Sequence, residues 1–145
     1  MRYLAVDELY GNSRLFDRFT KFGGAIPMSR TRAPLGALRL ALFELASGGT
    51  IGLFPEGVRV WAWGEQPPKR GAAWLARRAG VPLVPIAVSG SDLAMGRGAR
   101  GISRAAMHVE VCQPILPAEF EDDPDPVGAM TDEWAARIGR ALEGK

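Results

Sequence analysis

Short apolar runs and longer helical stripes follow one another along the chain. A run of roughly four to eight apolar residues is typical of a buried strand, whereas apolar residues three or four positions apart are typical of an amphipathic helix. The runs predict strands at residues 3–6, 25–28, 51–54, 83–88 and 107–112. The stripes predict helices at residues 14–22, 34–46, 69–79 and 126–142.

The helical stripes also identify the side chains that should face a sheet. They are Leu35, Leu38, Leu42 and Leu45 in the second helix, Ala72, Leu75, Ala76 and Ala79 in the third, and Val127, Met130, Trp134, Ile138 and Leu142 in the last. Asp125 and Pro126 are typical of the cap and first residue of that last helix.

This alternation predicts an α/β fold with a single largely parallel or mixed sheet flanked by helices. Pro85 has no N–H for a ladder, so its strand should lack a neighbour or bulge there. We expect residues 1–118 to form the α/β domain and residues 119–145 to add an acidic linker and an amphipathic helix packed on it. Because the first strand begins next to Met1, we expect an N-terminally incomplete fold.

The stretch TIGLFPEGVR, residues 50–59, is the one around which the other elements should be arranged. Its first half predicts a buried central strand, but Pro55 cannot continue a ladder and Gly57 can adopt backbone angles that other residues avoid. The chain must therefore turn, which places Glu56 and Arg59 beyond the carboxyl end of the strand. Ligands of open α/β sheets bind at that edge.

The net charge of +2 conceals an uneven distribution. Residues 1–107 contain 15 Lys or Arg against 7 Asp or Glu, whereas residues 108–145 contain 3 against 9. A basic body favours an anionic ligand or surface. Only three of the 18 basic residues are lysines. Arginine fits phosphate geometry, but an arginine excess also follows from genomic composition, and both interpretations stay open.

Several classes of protein are disfavoured. The single cysteine, Cys112, excludes an internal disulfide and a cysteine-based zinc cluster, and its apolar surroundings predict a buried thiol. No uncharged apolar run is long enough to span a bilayer, and no signal peptide opens the sequence. We expect a soluble or membrane-peripheral protein that faces the cytoplasm.

Arg30, Glu56, Arg59 and Lys69 form the first candidate site. Arg30 and Arg59 each follow a predicted strand, so their guanidiniums converge if those strands are parallel neighbours. Together with backbone N–H groups of the turn at Glu56 and Gly57, they would bind a phosphate monoester, and Glu56 would orient an arginine. The alternative is a surface Glu–Arg pair without a ligand, which contributes little. The spacing favours neither.

Four segments around these residues recur together in known proteins. Residues 54–59, FPEGVR, resemble a Phe-Pro-Glu-Gly-Thr-Arg segment, and residues 24–30, GAIPMSR, resemble a Gly-x-Ile-x-x-x-Arg segment. Residues 69–72, KRGA, are similar to a Phe-Lys-x-Gly-Ala segment, and residues 81–86, VPLVPI, to Val-Pro-x-Val-Pro. In this order they resemble the glycerophosphate and lysophosphatidate (1-acylglycerol-3-phosphate) acyltransferases.

The resemblance implies transfer of an acyl chain from acyl-CoA or acyl carrier protein to a hydroxyl of a glycerol phosphate or lysophospholipid at the membrane surface. Arg30, Glu56 and Arg59 match the family residues that bind the acceptor's phosphate and shape its site. Gly57 belongs to the same turn, and Lys69 should support the pocket. The acyl donor is a co-substrate, and the resemblance implies no metal or prosthetic group.

The family's catalytic His-x4-Asp segment has no counterpart in these 145 residues. In the family its His removes the proton of the acceptor hydroxyl and its Asp orients the His. The one histidine, His108, follows the other segments and has Gln113 five positions later, so we predict a strand residue and not a base. We expect the catalytic pair upstream of Met1. Val58 and Val60 replace the usual Thr and Ser, which removes two hydroxyls near the expected phosphate.

Residues 96–101 match the dinucleotide-binding G-x-G-x-x-G pattern. No strand leads directly into this segment and no helix directly out of it, so a basic loop is favoured. Arg97, Arg100 and Arg104 of such a loop would be able to contact anionic lipid headgroups.

The alternative function is a non-catalytic module that binds anionic lipid. Trp61 and Trp63 would then lie at the lipid interface, although packing in a core is equally compatible with the sequence. Nucleic-acid binding is disfavoured, because aromatic residues do not alternate with the arginines and the acidic C-terminal region would repel a phosphate backbone.

Overall fold

A computed structural model of the chain describes residues 2–6, 25–28, 35–58, 60, 62–95 and 103–143. The chain forms two compact units, Met1–Phe54 and Pro55–Lys145. The described elements of the first are β1 (Arg2–Val6), β2 (Ala25–Met28), α1 (Leu35–Ala46) and β3 (Ile51–Gly52). Those of the second are α2 (Gly71–Ala79), β4 (Ile86–Ser89), α3 (Ser91–Met95), β5 (His108–Val111), a 3₁₀ helix (Pro117–Phe120) and α4 (Pro126–Leu142).

Three parallel strands form the sheet described in the first unit, in the order β2-β1-β3. Tyr3 of β1 is paired with Ala25 of β2 on one side and with Gly52 of β3 on the other. Ala25 and Gly52 therefore lie at the same level of the sheet. The strands predicted at 3–6 and 25–28 are confirmed, whereas the helix predicted at 14–22 lies outside the described residues.

The strand predicted as central and buried at 51–54 is short and peripheral. It comprises Ile51–Gly52 and lies at one edge of the three described strands, so that β1 is central instead. Phe54, expected to be buried, is 75% exposed. The ladder ends early because Pro55, which follows, has no N–H with which to continue it.

α1 packs on this sheet through its smallest side chains. Ala37 and Ala41 are buried. The half-buried side chains beside them are Leu38, Leu42 and Leu45. The helix prediction is confirmed, but Leu35, predicted to face the sheet, is 61% exposed. Alanine lets the helix backbone approach closely, so the leucines flank the line of contact instead of forming it.

The core of the second unit lies where α2, β4 and α4 meet. Ile115 and Met130 are 0% exposed. The other buried members are Ala73, Ala76, Ala87, Trp134, Ile138 and Ala141. Trp63 extends this core, because its ring centroid lies 5.7 Å from that of Trp134. The inward faces predicted for α2 and α4 are confirmed, and Trp63 packs on the core.

The strands β4 and β5 pair antiparallel, with Ile86 opposite Val111. One face of β4 is buried through Ala87, whereas Ile86 and Val88 on the other face are 46% and 44% exposed. The predicted strand at 83–88 is therefore apolar on both faces but buried on one.

The described strands pair as two sheets, one parallel and one antiparallel, where the sequence predicted a single sheet. β4 pairs with the next strand along the chain, and Pro85 has no N–H to extend that ladder. Pairing continues past Pro85 as an isolated bridge between Leu83 and Ile115. The α/β class itself is confirmed, with a mixture of parallel and antiparallel pairs.

Smaller differences concern the segments between elements. The loop predicted after β4 contains the five-residue helix α3 (Ser91–Met95), and residues 96–101 lie outside the described residues. Cys112 is half-buried, and its thiol lies 3.8 Å from the carbonyl oxygen of Arg137. No helix in the described parts of the chain is long and apolar enough to cross a membrane. The division at residue 118 stays a prediction.

Asp125 joins the starts of two helices. It is the N-cap of α4, accepting a 3.2 Å hydrogen bond from the backbone N–H of Gly128, as the sequence predicts. Its carboxylate also forms an ion pair with Arg70, the residue before α2. Both side chains are more than half exposed, so the cap should stabilise the protein more than the ion pair does.

Replacing Asp125 by alanine should lower the free energy of unfolding by about 1 to 2 kcal/mol, because α4 loses its cap. Arg70→Gln, which removes only the exposed ion pair, should cost less than about 1 kcal/mol. Asp122→Ala, a change of the same charge at an exposed position nearby, is the matched control. Urea unfolding followed by circular dichroism compares them. An equal loss for Arg70→Gln and Asp125→Ala would assign the stability to the ion pair.

Candidate functional site

The Pro55 turn, residues 55–58, is the segment that the sequence singles out for ligand binding. Pro55 is buried, and its carbonyl oxygen accepts a 2.8 Å hydrogen bond from the backbone N–H of Lys69. Gly57 has φ of +69°, in the left-handed region that glycine adopts without strain. The turn is thus fixed at Pro55 by a backbone hydrogen bond and at Gly57 by its backbone conformation.

The side chain of Lys69 lies against the backbone of Gly57. A Cβ atom on Gly57 would lie 2.9 Å from Nζ of Lys69 and 3.1 Å from its Cε. Only glycine leaves room for the lysine to take this position. The contact places an ammonium group, on an exposed residue, beside the backbone of a tight turn. A cation next to such a turn favours the binding of an anion.

The inner side of the Pro55 turn is filled. Side chains of α2 and α4 meet there with Pro55 and Lys69 and leave no space for a water molecule. The residues that line this contact are Pro55, Lys69, Ala72, Ala73, Leu83, Thr131 and Trp134. A ligand of the turn must therefore approach from its outer side.

Two of these residues, Thr131 and Trp134, belong to α4, a helix to which the sequence analysis gave only a packing role. Thr131 is 7% exposed, and its hydroxyl donates a 2.7 Å hydrogen bond to the carbonyl oxygen of Val127. The sequence does indicate that Thr131 is buried. Thr131 is four positions after Val127 and three before Trp134, so it lies on the predicted apolar face of the helix. A prediction that uses only apolar residues to define the buried face of a helix places a threonine on the solvent side.

The structure brings together part of the predicted site. Gly57 and Lys69 are in contact, and Glu56 is half-buried between Pro55 and Gly57. Arg30 and Arg59 lie outside the described residues.

The strands that precede Arg30 and Arg59 are parallel, as expected, but they are not neighbours. β1 lies between β2 and β3, so these two strands run about 10 Å apart.

The remaining candidates form no second site within the described ranges. His108 is a residue of β5, as predicted, with a side chain 59% exposed and its Nε2 4.0 Å from a carboxylate oxygen of Glu110. No group of three or more His, Cys, Asp and Glu residues is arranged to hold a metal ion in the described part of the chain.

The architecture is that of a solved acyltransferase. The crystal structure of the 1-acyl-sn-glycerophosphate (LPA) acyltransferase PlsC from Thermotoga maritima matches with a TM-score of 0.72 and 19% sequence identity, over 99% of this chain and 57% of that chain. At this identity the likeness establishes the fold, which agrees with the α/β class predicted from the sequence.

The family follows from the sequence itself. The profile of the Acyltransferase family matches residues 1–89, more than half of the chain. The chain belongs to that family. The resemblance drawn from the four sequence segments is therefore confirmed.

Two plant proteins are similar to part of the chain. The chloroplastic 1-acyl-sn-glycerol-3-phosphate acyltransferase BAT2 of Brassica napus is 32% identical over 95 residues, which are 63% of this chain and 28% of that protein. The corresponding LPAT1 of Arabidopsis thaliana is 30% identical over 95 residues, 63% of this chain and 27% of that protein. The chain thus spans little more than a quarter of the length of these relatives.

Gly57→Ala should lower the free energy of unfolding by about 1 to 2 kcal/mol, because alanine is strained at positive φ. It should also displace the Lys69 ammonium. Gly64→Ala is the matched control, since Gly64 has φ of +88° but no heavy atom within 4 Å of its would-be Cβ. Calorimetry should show similar losses for both variants.

The displacement of Lys69 can be followed by NMR of ¹³C-methylated lysines, because the chain has only three. The Lys69 resonance should move in Gly57→Ala and stay in place in Gly64→Ala. A resonance that is unchanged in both variants would contradict the contact between Lys69 and the turn.

Proposed function

We propose that the chain is the acceptor-binding part of a glycerolipid acyltransferase, whose acceptor is a glycerol phosphate or a lysophospholipid. The acceptor hydroxyl oxygen attacks the thioester carbonyl of acyl-CoA or of an acyl carrier protein. A carbon–oxygen bond forms, the carbon–sulfur bond breaks, and the hydroxyl proton ends on the departing thiol. The contact between Lys69 and Gly57, in a chain that belongs to the Acyltransferase family, is the observation that supports this most directly.

Each proposed site residue has a role that suits a phosphate ester. Lys69 supplies a positive charge beside Gly57 of the Pro55 turn, and glycine leaves room for this lysine next to the backbone. Arg30 and Arg59 bind the phosphate with their forked donors. Glu56 orients an arginine, because a carboxylate free of a cation would repel the phosphate.

Proton removal from the acceptor is not assigned to any residue of this sequence. The 145 residues contain no His followed by Asp at the family spacing. His108 lies on an exposed strand and is followed five positions later by Gln113 instead of the Asp that orients the family's base. The proposed roles are therefore limited to binding and orienting the acceptor, which accounts for rate enhancement through positioning.

The second candidate is a non-catalytic module that binds anionic lipid, and the lack of a His-x4-Asp pair in the sequence favours it. Both candidates operate at the cytoplasmic face of a membrane as a peripheral protein. Both also use cationic side chains, so turnover and binding of the soluble acceptor are the properties that distinguish them.

Arg30→Ala combined with Arg59→Ala should weaken binding of sn-glycerol 3-phosphate about 100-fold or more, because two charge-assisted contacts are lost. Isothermal titration calorimetry measures this. Arg39→Ala with Arg140→Ala removes the same charge from two exposed positions outside the proposed site and should leave the affinity unchanged. Unaltered binding by the Arg30 and Arg59 variant would remove both residues from the site.

An acyl-transfer assay with acyl-CoA and lysophosphatidate separates the two candidates. Turnover by the 145-residue chain excludes the non-catalytic module. Binding of anionic vesicles with no affinity for sn-glycerol 3-phosphate supports the module and contradicts the acyltransferase proposal.

A further inference from the structure

The outer face of α2 combines one tryptophan with arginines. Ala72, Ala73, Leu75 and Ala76 turn inward. On the opposite side Trp74 is 39% exposed, and Arg77 and Arg78 are exposed. We call Arg70, Trp74, Arg77 and Arg78 the α2 outer face.

Helical spacing makes this a single continuous surface. Trp74 is four residues after Arg70, three before Arg77 and four before Arg78. Residues three and four apart are neighbours on a helix surface. Trp74 therefore lies at the centre of the face, with an arginine on each side.

The charge of this face is not neutralised locally. The side chains of Arg77 and Arg78 make no hydrogen bond or ion pair with a described residue, whereas Arg70 pairs with Asp125. Residues 66–91 carry four basic residues and no Asp or Glu. Arg77 and Arg78, which have no ion-pair partner among the described residues, thus share one side of a short helix with the exposed ring of Trp74.

We infer that the α2 outer face docks the protein on an anionic phospholipid bilayer. Arginines attract the negative headgroups, and a tryptophan is suited to the boundary between headgroups and acyl chains, where one side of its ring is apolar and its N–H is hydrated. A second copy of the chain is a poor occupant, because equivalent faces would place like charges together. An acidic protein surface would form ion pairs with the arginines but would not explain why a tryptophan is exposed between them.

The α2 outer face lies next to the proposed acceptor site. Its role, which is to bring membrane lipid to that site, rests on the proposed function. Lys69, which contacts Gly57, immediately precedes Arg70. Arg78 is nine residues along the chain from Lys69, or about 13 Å along a helix. A bilayer bound at the α2 outer face would therefore present lysophospholipid headgroups close to the outer side of the Pro55 turn.

Vesicle co-sedimentation of the 145-residue chain tests the surface. The protein should bind vesicles of phosphatidylcholine with phosphatidylglycerol, and phosphatidylcholine alone should bind it weakly. Arg77→Gln with Arg78→Gln should lower the partition coefficient about 30-fold, since each arginine near an anionic surface contributes about fivefold. Arg39→Gln with Arg140→Gln, the matched control on other helices, should leave it unchanged. Circular dichroism establishes that each variant is folded.

Brominated lipids test the role of Trp74 separately. Bromine quenches tryptophan that enters the bilayer boundary, so bound wild-type protein should be quenched and Trp74→Phe should lose most of that quenching. Equal vesicle binding by the Arg77 and Arg78 variant and its control would overturn the inference. The inference would also be overturned if the chain did not bind vesicles but bound an acidic carrier protein through Arg77 and Arg78.

The same variants distinguish this inference from the proposed function. Arg77→Gln with Arg78→Gln should bind soluble sn-glycerol 3-phosphate as the wild type does. Vesicle binding that is equal in this variant and its control, with normal acceptor binding, would remove only the docking surface. Normal vesicle dependence without acceptor binding would remove only the proposed acyltransferase role.

Discussion

The contact between Lys69 and the backbone of Gly57 is the constraint on which the account of this protein depends. The contact needs a residue without a Cβ atom at a positive φ, which Gly57 provides. It also needs the hydrogen bond from the backbone N–H of Lys69 to the carbonyl oxygen of Pro55, just before α2 begins. Both conditions come from the local sequence, where proline stops the strand and glycine permits the turn. An ammonium group thereby lies beside the backbone of the turn. The proposed acceptor site is built on that position.

The Pro55 turn belongs to the second unit, where α4 packs against its inner side. α4 fills the inner side through Thr131 and Trp134, and Asp125 at the start of α4 is paired with Arg70 at the start of α2. Because the inner side is closed, the proposed ligand site is on the outer side of the turn. The same packing leaves the other side of α2 exposed, with Trp74 and the arginines on it. One helix therefore has an apolar face that holds the turn and a cationic face that is open to an anionic surface.

Elements with strong local signals could be predicted from the sequence. The strand Ala25–Met28 and the helix capped by Asp125 lie where the pattern places them, because glycine, proline and cap residues mark their ends. Burial was harder to predict. Leu35 and Phe54 are apolar yet exposed, since burial depends on which neighbour an element meets and not on the element alone. The partner of β4 could not be predicted either, because an apolar run has no feature that selects parallel or antiparallel pairing. At the site, the contact of Lys69 with Gly57 agrees with the grouping made from sequence, while the roles of Arg30 and Arg59 stay predictions.

The central claim is that Lys69 and the Pro55 turn form a corner that binds a phosphate ester. Calorimetric titration of sn-glycerol 3-phosphate and of glycerol into the wild type and into Lys69→Met tests it most directly, because methionine keeps the length and packing of the side chain without its charge. We expect the phosphate ester to bind the wild type while glycerol does not, and Lys69→Met to weaken this binding about tenfold or more. Equal affinity of both proteins for sn-glycerol 3-phosphate would contradict it.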